Sequence, residues 1–178
     1  MKVLKIIVTT LVILGGLIYF AIWFTFRTTS EDVSHLKPFS EIVGKELASV
    51  QTCHIALNYE HWVKENQYIV YMRKNSVSAK SSNRQELPVG TILKIKEAKR
   101  YTAGFTGSKS TYILGTVFLE ELQEEVAFEF AWGKKNFNTD LPGDYFAYNL
   151  APWQKVRLDV MYDYDKGIEV PYENNNVK

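Results

Sequence analysis

The spacing of hydrophobic positions changes twice along the chain. From Ile6 to Phe26 no charged residue occurs, a run of 21 positions rich in Ile, Leu, Val and Phe. At about 1.5 Å of rise per residue, that run makes a helix roughly 30 Å long, which matches the hydrocarbon core of a bilayer. Thr9, Thr10 and Thr25 are its mild polar interruptions. Tyr19 and Trp23 lie in its second half, where amphipathic rings suit a headgroup interface. The run ends in the bulky Phe20-Ala21-Ile22-Trp23-Phe24-Thr25-Phe26-Arg27, not in the small residues of a signal-peptide cleavage site. An uncleaved transmembrane anchor over residues 1–27 is therefore expected, with lipid contact through residues 6–26.

Thr28 to Lys37 is polar and predicts a linker over 28–37. Pro38 to Gly44 predicts a short helical turn, with Pro38 at its start, Gly44 at its stop, and Phe39, Ile42 and Val43 on one face. Beyond it the period becomes two, the signature of strands with one buried face. His54–Leu57 and Tyr68–Met72 read as strands. Thr91–Ala98 sets Leu93 and Ile95 against Ile92, Lys94 and Lys96, and Ser110–Leu119 is long and β-branched. In Glu125–Trp132, the residues Val126, Phe128, Phe130 and Trp132 fall on one face, with Glu125 and Glu129 on the other. Val156 to Tyr164 alternates as a last strand. No strand–helix alternation occurs, which excludes a parallel α/β sheet. The fold class expected is mostly β, a small barrel or sandwich with added strands behind one transmembrane α-helix. The β domain is expected over 38–170, with a flexible tail over 171–178.

The stretch Asn75-Ser76-Val77-Ser78-Ala79-Lys80, followed by Leu87-Pro88-Val89-Gly90-Thr91-Ile92-Leu93-Lys94-Ile95, resembles a bacterial SH3-like barrel domain over residues 50–132. In such domains a short strand leads through a polar loop into a Leu-Pro-x-Gly-Thr turn and an alternating strand. The long Tyr101–Ser110 loop departs from that pattern. The resemblance implies a binding module for cell-wall peptide or protein ligands.

Charge narrows the function classes. Without residues 1–27, 18 basic and 20 acidic residues remain. That balance disfavours a nucleic-acid partner, which calls for a basic stripe. Lys2 and Lys5 precede the apolar run, while Arg27, Glu31 and Asp32 follow it, so the positive-inside tendency puts the bulk of the chain outside the cytoplasm. The single cysteine, Cys53, allows no internal disulfide, and no Asn-x-Ser/Thr sequon occurs. A bacterial inner-membrane protein facing the periplasm fits all of these.

Candidate chemistry is sparse. His35 lies in the linker, and neighbours Cys53 and His54 point to opposite faces of a strand, so they cannot share a metal. A Cys53–His61 nucleophile pair is sterically open, although a buried inert thiol is the simpler reading. Asp159, Asp163, Asp165 and Glu169 cluster near Gly167, but the calcium-loop spacing fails, because the closing position counted from Asp163 is Asn174. No cofactor, metal or catalytic constellation is expected. Aromatic residues offer more. Phe105 stands between Gly104 and Gly107 on a hairpin tip, with Lys109 just beyond. Tyr145, Tyr148 and Trp153 belong to a segment that reads as a structural lid or as a binding face. These five are the candidate partner-binding residues.

The function expected is a membrane-anchored extracytoplasmic binding or accessory domain recognising a protein or envelope component, such as an envelope-complex subunit or an immunity protein. The alternative is a cell-wall hydrolase acting through Asp159, Asp163 or Cys53. A third class is a spacer whose helix is the interacting part, with Gly15 and Gly16 allowing close approach.

Overall fold

The computed structural model of the chain describes residues 2–57, 65–72, 84–136, 145–163 and 165–171, with side chains for all of these except 3–6, 8, 24, 136 and 171. The elements run α1 (Lys2–Phe26), β1 (Thr29–Asp32), a 3₁₀ turn (Phe39–Glu41), β2 (Glu46–Ala48), β3 (Cys53–Leu57), β4 (Tyr68–Tyr71), β5 (Arg84–Leu87), β6 (Ile92–Thr102), β7 (Lys109–Leu119), β8 (Glu124–Asn136), β9 (Tyr145–Ala147), β10 (Val160–Asp163) and β11 (Glu169–Pro171). The mostly β architecture is as the alternation predicts. Residues 73–83, which carry the first half of the barrel resemblance, lie outside the described residues, as do His61, Tyr164 and the tail beyond 171.

The three long strands β6, β7 and β8 form an antiparallel meander that organises everything else. One end of each belongs to one set of short strands and the other end to a second set. At the Ile92 end, β2 pairs with β6, and β4 pairs with β8, parallel, followed by β3 and β5. At the Thr102 end, β1 pairs with β6, and β9 pairs with β8, followed by β10 and β11. The division coincides with two register breaks, between Ile95 and Glu97 in β6 and between Ala131 and Lys134 in β8, opposite Ser110–Tyr112. Such bulges bend a strand and raise its twist, so one sheet can fold over on itself. The second bulge depends on Gly133, which has φ +106, a backbone region L side chains rarely adopt. An added Cβ there would also strike the Thr111 hydroxyl and the Tyr148 ring. The single Thr111 hydroxyl hydrogen is shared between the carbonyls of Trp132 and Gly133, the two residues that oppose Thr111 at the bulge.

Both sets of strands close on one core. Leu93, Ile95, Ala98, Ile113, Val117, Val126, Phe128, Phe130 and Trp132 come from the meander, while Val33, Phe39, Ile55, Val70, Phe146, Tyr148 and Tyr162 come from the elements around it. Phe39 arrives on the turn after Pro38, as its spacing predicts. Its ring sits edge-on against Trp132 and Tyr148, at 5.9 and 5.8 Å between centroids.

Three expectations need correction. Residues 28–37 are no free linker. Thr29–Asp32 is strand β1, paired with Lys99–Thr102, and Val33 is buried with its N–H donating to the Ala98 carbonyl at 2.9 Å. A polar segment reads as a linker because β1 is exposed on every side chain, being held through its backbone. The last strand is shorter than Val156–Tyr164. Val156 is exposed, and regular pairing begins at Val160. Glu129, placed by phase on the outer face of β8, is on that face but fully buried, because a second layer covers it.

Candidate functional site

The described side chains of α1 run unbroken from Thr9 to Trp23, about 22 Å of helix. Among the described residues no helix is long and apolar enough to cross a membrane. The backbone helix continues on both sides, from Lys2 to Phe26, and the large apolar side chains described on it are about half exposed or more. Only two residues separate its end from β1, and the tip of the β6–β7 hairpin meets it there. Gly104 packs so tightly under the Thr25 and Arg27 carbonyls and the Arg27 N–H that a Cβ would collide with backbone. The carbonyls of a last helical turn lack partners of their own, and only glycine lets another chain come this close. Phe105, 70% exposed, stacks on Phe26 with 5.1 Å between centroids and 10° between planes. The Arg27 guanidinium lies over the Trp23 ring, 5.3 Å from its centroid.

The candidate residues Phe105, Lys109, Tyr145, Tyr148 and Trp153 therefore do not form one surface. Phe105 occupies the helix exit, and Lys109 opens β7 opposite Thr102. Tyr148 is 1% exposed, ringed by Phe39, Trp132 and Tyr162. Trp153 is half-buried against Phe130 and Trp132, and Tyr145 is buried on β9. Of the two readings left open for Tyr145–Trp153, the lid matches this placement. Burial raises the Tyr148 hydroxyl's pKa far above the ordinary tyrosine value, and raises that of Tyr162 to about 12.

A second cluster lies on the outer face of the meander. Tyr101, Tyr112 and Leu114 are buried there, with Glu129 paired to Leu114 across the ladder. One Glu129 carboxylate oxygen accepts the backbone N–H groups of Glu65 and Asn66, the latter at 2.7 Å. The Asn66 amide returns a bond to the Phe128 carbonyl at 3.2 Å. Glu65 itself reaches Lys99 and Tyr101. Its carboxyl is held below the usual carboxylate range, chiefly by the Lys99 hydrogen bond, and the Tyr101 hydroxyl is pushed well up, chiefly by burial. The ensemble holds residues 65 and 66 over the sheet.

The remaining candidates have structural places. Cys53 is fully buried, and burial raises its thiol to about 11, which suits an inert core residue better than a nucleophile. Its proposed partner His61 lies outside the described residues. Asp163 caps a turn, its Oδ1 accepting the N–H groups of Asp165 at 3.0 Å and Lys166 at 2.9 Å. Asp159 is exposed. Among the described residues, no group of three His, Cys, Asp or Glu could hold a metal ion.

One surface was missed. Leu93 pairs with Val117, so Ile92 stands beside Phe118 at the end of the meander farthest from the helix. They are 44% and 51% exposed. Ala48 and Glu125 complete the row on the flanking strands. The following turn, Glu120–Glu124, carries exposed Leu122 and three exposed glutamates, Glu120, Glu121 and Glu124. Ten residues of β6 separate this end from Thr102, roughly 30 Å at about 3.3 Å each. Ile92 is an apolar residue in the polar phase of its strand, in line with Lys94 and Lys96, and that is the signal which could have found this end. Comparison with known proteins adds no identity, since the chain matches no family model, no curated protein and no solved structure.

Proposed function

We propose that the chain is a single-pass, membrane-anchored binding domain of the bacterial inner membrane, with its β domain in the periplasm and a protein partner at its membrane-distal end. The anchor reading is supported by the uncharged 6–26 run inside the Lys2–Phe26 helix and by the exposure of that helix's described side chains. Orientation follows from Lys2 and Lys5 ahead of the run.

The observation that carries the binding reading is the Ile92–Phe118 pair beside the acidic Glu120–Glu124 turn. Exposing a large apolar side chain forgoes about 1.5–3 kcal/mol of burial, and two together on a flat strand end favour a contact. The glutamates specify the chemistry of that contact: a protein presenting an apolar side chain flanked by lysine or arginine. An SH3-like binding module is compatible with this role. Among the described residues, no arrangement favours the hydrolase alternative.

Three experiments test the proposal. The full chain is expected to stay in the membrane fraction through carbonate washing, and a reporter fused after Lys178 should be active only outside the cytoplasm. Release by carbonate, or cytoplasmic activity, overturns the respective half. A photo-crosslinking residue at Phe118 should give one adduct in cells, absent when the crosslinker sits at exposed Lys166. Its yield should fall in the Glu120→Gln, Glu121→Gln, Glu124→Gln triple variant. An adduct indifferent to those charges, or equal from both positions, sinks the assigned surface.

A further inference from the structure

We infer that the β6–β7 hairpin tip is a second membrane contact, with the Phe105 ring seated in the lipid headgroup layer beside the exit of α1. The inference rests on the anchor reading above and extends it to a residue about 80 positions further along the chain.

Three observations fix the level of the tip. The 21-residue uncharged run uses the whole hydrocarbon thickness, so its last residue, Phe26, lies at the boundary of the apolar core. Phe105 stacks on that ring at 5.1 Å and shares its level. Gly104 locks the arrangement, because the hairpin backbone touches the backbone of residues 25 and 27. In water the two stacked rings would both remain more than half exposed, at 59% and 70%. An interfacial lipid layer is the environment that covers both, and the hydroxyls of Thr106 and Ser108 beside Phe105 suit headgroups. The domain then touches the bilayer at two points, which limits its tilt.

Nitroxide labels on the full chain in phosphatidylcholine bilayers test this. Single cysteines replace Val12, Thr106 or Phe118, with buried Cys53 left in place and the unsubstituted chain checked for labelling. Collision with oxygen, which concentrates in lipid, is compared with collision with a water-soluble nickel complex. The oxygen-to-nickel ratio at Thr106→Cys should be several-fold above that at Phe118→Cys and below that at Val12→Cys. Adding Gly104→Ala should bring the Thr106 ratio down to the Phe118 value and leave Val12 unchanged. A Thr106 ratio equal to that at Phe118, with Val12 in lipid, overturns the inference alone. A watery Val12 overturns the anchor reading and this inference with it.

Discussion

Replacing Glu129 is the sharpest test of how this sheet is covered on both faces. Its carboxylate is fully buried and accepts two backbone N–H groups, from Glu65 and Asn66. Hydrogen bonds to a charged group contribute about 1.5–3 kcal/mol each, and orphaned buried donors lose their solvation as well. Removing the buried charge offsets part of that, because a carboxylate is expensive to desolvate. Glu129→Ala should therefore destabilise by about 3 kcal/mol. Glu129→Gln keeps one acceptor oxygen in place and should cost about 1 kcal/mol. Glu125, four residues earlier on the same strand, is the control. Its ion pair with Lys94 is 2.8 Å long, but both side chains are more than 40% exposed, so Glu125→Ala should leave stability essentially unchanged. Denaturant unfolding of the full chain in detergent micelles, read through the fluorescence of buried Trp132 and half-buried Trp153, gives the three values. Amide exchange at Asn66 should quicken in Glu129→Ala. A variant as stable as the parent, with Asn66 exchange unchanged, would refute the reasoning and mean that water replaces the carboxylate.

Three further outcomes follow. Phe128→Ala should destabilise by about 3–5 kcal/mol in the same assay, because a fully buried ring is lost from the centre of the meander. Cys53 should resist alkylation at mildly alkaline pH in the folded chain and react once unfolded, since burial both shields the thiol and raises it to about 11; rapid native-state labelling would contradict this. Glu65, held below the usual carboxylate range by Lys99, contributes stability above the unfolded carboxyl pKa and loses it as pH falls through the lowered folded value. Because the pair is partly exposed the effect is under about 1 kcal/mol, and Glu65→Gln should show a correspondingly smaller loss of stability between neutral pH and pH ~3.

What the sequence revealed follows from which forces act locally. Alternation located β3, β4, β6, β7 and β8, since each has a face in the main core. It missed β1, whose four side chains are all exposed and whose place comes from backbone pairing with a strand some 70 residues away. It missed the burial of Glu129 because phase tells which face a residue occupies, not whether another segment covers that face. Phe105 was rightly singled out as an exposed ring, yet its neighbour Phe26 lies at the end of a different element, a contact no local pattern encodes. Tyr148 and Trp153 looked like surface candidates because their segment is irregular, with little regular alternation to mark them as interior.

The joint between α1 and the sheet has a mechanical consequence. Two residues of chain plus a backbone-to-backbone contact at Gly104 leave little freedom to swivel. The helix and the meander then turn as one shaft, and the compass bearing of Phe118 is set by which side of the helix faces a given neighbour. Stepping one residue around a helix is a turn of about 100°. Re-registering a helix–helix contact by a single position would thus swing the distal end through more than a quarter circle.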